Sequence, residues 1–177
     1  DARKFLDALL VAFLDDGVNA DGVADAEHVP VSFELRLVDF LDDLRHKAVW
    51  VKKGGYLLFS DVPENVIHKW SAAKGIEEFL RPSGYTGTGT YSEEPGSNGL
   101  IINKKGNLVS CEHGDRRIAE MPLNRPDKKK TLAHLYEGKK LNSPNDLVQK
   151  SSGDYYFTDP PYGLPGRGKE EPAKELA

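Results

Sequence analysis

Three acids and two asparagines in this 177-residue chain recur at spacings that could build an oxygen-lined site. Asp61, Glu112 and Asp159 each stand six residues after a glycine, in GYLLFSD, GNLVSCE and GDYYFTD, and each closes a short apolar run. Asn98 and Asn145 each stand fourteen residues before the acid of their own copy and open the apolar runs NGLII and NDLVQ. Side chains repeated at one strand end converge on a common axis when the repeats form a ring. A ring of Asn, Asp and Glu oxygens is what a hard divalent cation such as Ca²⁺ takes as ligands. The same residues have a structural reading: Asn caps turns through its own backbone, and an Asp that precedes prolines, as Asp159 does, initiates one. Spacing alone leaves both readings open.

Such positions need a scaffold that repeats. The copies lie 51 and 47 residues apart, the length of one four-stranded propeller blade. AVWV, the turn KKGG and YLLFSD predict a hairpin, because paired glycines supply the positive φ that a tight turn requires. Asn65–Trp70 and Gly75–Leu80 predict a third and a fourth strand. The order returns in Gly99–Ile102, Asn107–Cys111, Arg117–Met121 and Thr131–Tyr136, whereas the third copy shows only Asp146–Gln149 and Tyr155–Thr158. The expected fold is all-β, a partial β-propeller of about two and a half blades over residues 46–177. Propellers carry about four to eight blades, so the chain is expected to be a piece of a longer protein. Residues 1–45 have a different texture, with Phe5, Leu6, Leu9, Leu10, Phe13 and Leu14 at helical spacing and a second amphipathic run at 33–44. They predict a short helical N-terminal segment. The polar loop GVNADGVADAEH between its two runs lacks calcium-loop spacing.

Composition narrows the function classes. A net charge of −4 and a pI near 5.8 argue against a nucleic-acid or anionic-membrane partner, which demands an excess of Lys and Arg. No run approaches the roughly twenty apolar residues of a membrane span. The single Cys111 forbids an intrachain disulfide and leaves the compartment open. The five histidines show no HxxxH spacing and no serine lies in GxSxG. GYTGTGTY lacks the GxGxxG order of a nucleotide loop.

Six segments taken together are more specific: YLLFSDVPEN, PSGYTG, GSNGL, CEHGDRRI, LNSPNDL and FTDPPYGLP. In this order, over residues 48–165, they resemble the gluconolactonase and regucalcin-like lactonases. The resemblance implies a six-bladed propeller with one divalent cation, Ca²⁺ or Zn²⁺, in its channel, and hydrolysis of a small-molecule sugar lactone. It implies that Asn145, in SPND, is a metal and substrate residue. It also places His46, in HKAVW, where the family carries a ligating glutamate in EGPVW. Further ligands from later blades, including the carboxylate that serves as base, would lie past Ala177. Asp159 is then the candidate catalytic carboxylate within the chain, and Asn98, Glu112, His113 and Arg117, with Arg116 beside it, are candidates to orient the substrate. Lactone hydrolysis needs a polarised carbonyl, a stabilised oxyanion and a delivered water. A chain holding only part of that apparatus is expected to be inactive alone and to self-associate through open blade edges. A propeller-derived interaction module, or an inactive product, is the other reading.

Overall fold

The computed structural model describes residues 47–176; the N-terminal helices expected over residues 1–45, and His46, lie outside them. The described residues are nearly all β, arranged as antiparallel sheets. The first sheet is the meander β1 (Ala48–Val51), β2 (Tyr56–Asp61), β3 (Val66–Ser71) and β4 (Gly75–Leu80), each strand bonded to the next. The second repeats it with β5 (Ser97–Ile102), β6 (Leu108–Glu112), β7 (Arg117–Met121) and β8 (Lys130–Ala133). Two short pairs follow, β9 (Leu135–Tyr136) with β10 (Lys139–Lys140), and β11 (Leu147–Gln149) with β12 (Tyr155–Phe157). The chain then makes a short 3-10 turn at Pro165–Gly168. Among the described residues no helix is long and apolar enough to cross a membrane.

The repeated glycine has one local cause. Gly55, Gly106 and Gly153 close the first hairpin of their sheets at φ of +64°, +81° and +104°, a region where a side chain is strained. Two expected strand limits move for the same kind of reason. Asn65 is not in β3 but in the turn before it, at φ +58°. The strand expected over Thr131–Tyr136 is interrupted at His134: Thr131 to Ala133 stay with β7, whereas Leu135 and Tyr136 pair with β10 across the turn at Glu137 and Gly138, at +50° and +79°.

Alternation along the strands divides the core between two seams. Leu108 and Met121, paired across β6 and β7, join Leu58, Ile67, Val51 and Leu100 between the first and second sheets. Val109, Cys111 and Ile118 point the opposite way and meet Leu147 of the β11–β12 sheet, the third layer. All five residues of β6 are buried, so the second sheet is the middle layer of three. Stacking of this kind brings the starts of β5 and β11 to one end of the molecule.

Candidate functional site

At that end is a cavity of about 940 Å³, lined among others by Lys47, Tyr91, Asn98, Asn145, Tyr162 and Arg167. The two asparagines singled out by the repeat therefore share one cavity. Their backbones are joined directly, the Gly99 N–H donating to the Asn145 carbonyl at 2.7 Å. A Cβ at position 99 would lie 2.7 Å from that carbonyl oxygen and 2.9 Å from Asp146 Cα, so only glycine lets the strand ends approach this closely.

Each strand end is fixed from behind. The Asn98 carbonyl accepts from Ser60 Oγ of β2 at 2.8 Å, and the Ser97 N–H donates to Ser83 Oγ at 2.9 Å. Asn65 holds the loop that carries Ser83: its Oδ1 accepts from the N–H groups of Ser83, Gly84 and Tyr85 at 3.0, 2.8 and 3.1 Å. On the other side, LNSPNDL and FTDPPYGLP are laced together. The Asn142 N–H donates to Asp159 Oδ2 at 2.7 Å, Ser143 N–H to the Pro160 carbonyl at 3.2 Å, and Asn145 N–H to the Thr158 carbonyl at 3.0 Å. Gly163 N–H adds a bond to Ser143 Oγ at 2.9 Å.

The other expected site residues take separate places. Asp159 is not in the cavity lining; it anchors the Asn142 loop, and burial raises its carboxyl above the usual range against the opposing pull of the Asn142 N–H and Arg116. Arg116 is buried, donating to the Leu141 carbonyl and pairing with Glu175 at 3.3 Å. Glu112 is fully buried and also off the lining, its carboxylate held by Arg117 at 2.7 Å and Lys129 at 2.6 Å; Arg117 also reaches Asp115 at 3.0 Å. His113 is fully buried behind the wall, with Nε2 3.2 Å from Asn98 Nδ2 and Nδ1 3.0 Å from the Glu94 carbonyl. Burial, with Lys47 nearby, lowers its pKa to about 4 although the Glu94 contact opposes the shift, so the ring is neutral near pH 7.

Tyr91, Tyr162, Lys47 and Arg167 of the lining are not legible from the repeat; Tyr162, in FTDPPYGLP, and Lys47, in HKAVW, lie in segments matched by the family resemblance. The lining mixes amides, phenols and charges of both signs, including Glu94 and Glu170, which suits a neutral polyhydroxylated ligand. The half-buried Asn145 amide makes no hydrogen bond to another described side chain, so its oxygen remains available at the cavity. An amide oxygen is a ligand type that Ca²⁺ accepts and Zn²⁺ seldom uses. Among the described residues no group of three or more His, Cys, Asp or Glu side chains is placed to hold a metal ion.

The family model described as the SMP-30/gluconolactonase/LRE-like region matches residues 47–174. A gluconolactonase of Zymomonas mobilis is 44% identical over 120 residues, covering 66% of this chain and 33% of its own length. The solved structure of a gluconolactonase from Xanthomonas campestris superposes with a TM-score of 0.57 at 26% identity, over 76% of this chain and 42% of that one. A second structure, solved for a candidate gluconolactonase, gives 0.54 at 32% identity over 71% and 44%. The chain thus spans a third to under a half of the length of these relatives.

Proposed function

We propose, because this chain belongs to the SMP-30/gluconolactonase/LRE-like family, that the protein carrying it hydrolyses a sugar lactone and that this chain supplies one wall of the lactone site. The observation that carries the reading is the meeting of Asn98 and Asn145 at one cavity through the Gly99 to Asn145 backbone bond. On this reading the two four-stranded meanders are successive propeller blades, and the strand starts face the channel.

A sugar lactone is small, uncharged and rich in hydroxyls, so its recognition falls to convergent polar groups more than to apolar area. Asn98 accepts from a ring hydroxyl, while Arg167 donates and Glu170 accepts elsewhere in the lining. Asn145, with His46 at the family's glutamate position, would hold a divalent cation. Such an ion, when bound, supplies polarisation of the lactone carbonyl. Asp159, Glu112 and Arg117 act one step back, fixing the loops that present the asparagines.

The test is pH-stat measurement of glucono-1,5-lactone hydrolysis by the full-length protein, before and after chelation and again with Ca²⁺ or Zn²⁺ restored. The expected result is turnover above the spontaneous rate that chelation removes and Ca²⁺ restores, with Asn145→Ala lowering it at least about a hundredfold. A folded, metal-supplied protein that turns over no sugar lactone would sink the reading.

A further inference from the structure

The contacts of His113 fix the direction of a neighbouring amide by donor and acceptor logic alone. Its Nδ1 faces the Glu94 carbonyl, which has no proton to give, so Nδ1 carries the hydrogen. In a neutral imidazole Nε2 is then a bare lone pair, and only a donor can face it. That donor is the Asn98 NH₂ at 3.2 Å. The amide is thereby oriented, and its Oδ1, in the wall of the cavity, is left buried with no partner among the described residues. A buried acceptor without a partner is costly, so it is retained where a ligand completes it.

The ring is held on its remaining sides. A Cβ at Gly163 would lie 2.3 Å from Nδ1 and 2.4 Å from Cγ, so the Gly163 backbone lies against the imidazole and bars another rotamer. The His113 N–H donates to the Gly96 carbonyl at 3.2 Å, and Gly114 N–H to the Pro95 carbonyl at 3.1 Å, which ties the histidine to the segment before Asn98.

We propose that His113 is a positioning residue that turns the Asn98 amide so that its oxygen, and not its NH₂, is offered to a ligand hydroxyl. The geometry stands without any assigned reaction; the identification of the hydroxyl as one of a sugar lactone rests on the function proposed above. A ligand whose hydroxyl is replaced by an acceptor alone, as in a keto or O-methyl analogue, is accordingly rejected at this point.

Long-range ¹H–¹⁵N correlation of the His113 ring in the full-length protein near pH 7 reads the tautomer directly. The expected result is a protonated Nδ1 and an unprotonated Nε2. A proton on Nε2 would overturn the proposal, because Asn98 would then have to turn its oxygen to the ring. In lactone kinetics His113→Leu should raise KM about tenfold with little change in kcat, as should Asn98→Ala, and the double variant should be no worse than either. His113→Gln, whose Oε1 restores an acceptor, should bring KM back to within about threefold of the original. Additive losses, or a glutamine variant as impaired as the leucine one, would equally overturn it. If no sugar lactone is turned over, the function proposed above falls, and the tautomer still decides this inference.

Discussion

The three register-equivalent acids show how carboxylates in one repeat position take unlike tasks. Asp61 caps its turn by accepting from the Glu64 N–H at 3.1 Å, Glu112 is an internal counter-ion to Arg117 and Lys129, and Asp159 pins the Asn142 loop. The asparagines behave differently, Asn98 and Asn145 both lining the cavity. Burial of His113 should have a measurable effect on stability. The folded state keeps the ring neutral down to a pKa of about 4, whereas the unfolded chain binds the proton near 6.5. Between those values the unfolded state holds more protons, so stability falls as pH drops from about 6.5 and levels off below about 4. The loss is about 3 kcal/mol. Urea unfolding at pH 7 and pH 4, compared with His113→Gln, should show the variant retaining that much more of its neutral-pH stability. Parallel losses would mean that the ring titrates alike in both states.

At the scale of elements, the backbone bond between β5 and the start of β11 is the decisive joint. Gly99→Ala would push a methyl into the Asn145 carbonyl and Asp146 Cα, both backbone atoms that cannot rotate away. The expected cost is about 1–3 kcal/mol of stability, read from the urea midpoint. A proportionally larger fall in lactone kcat/KM should accompany it, since the displacement separates Asn98 from Asn145. A variant that loses stability and keeps full activity would show that the two asparagines need not be joined. The elements themselves were largely legible, since turn glycines with period-two apolar runs mark both meanders. The reversal at Glu137 and the turn at Asn65 were missed because a non-glycine residue at positive φ leaves little trace in a hydrophobic pattern.

For the molecule as a whole, the β11–β12 sheet is half covered. Leu147 is 3% exposed against the second sheet, while Val148 and Tyr156, paired in register on the opposite face, are 59% and 56% exposed. An apolar sheet face left to water favours association. Sedimentation of residues 1–177 should show concentration-dependent self-association that Val148→Lys with Tyr156→Lys suppresses without lowering the unfolding midpoint. Association unchanged by the pair would place the contact elsewhere.

The order of strands, the blade-length repeat and the pairing of Asn98 with Asn145 are properties of the sequence, because alternation and turn glycines act over a few residues and recur with the period of the sheet. The segments carrying the family resemblance are also legible there, but not what their residues do. That Glu112, Arg117 and Asp159 are taken up by ion pairs and a loop hydrogen bond while Asn98 lines the cavity was decided only when the sheets stacked. The direction of a side chain at a strand end, and the partner that claims it, depend on neighbours many positions away in the chain. His113 makes the point most sharply: it follows Glu112 in sequence, yet its role is set by Glu94, Asn98 and Gly163, which only the fold brings around it.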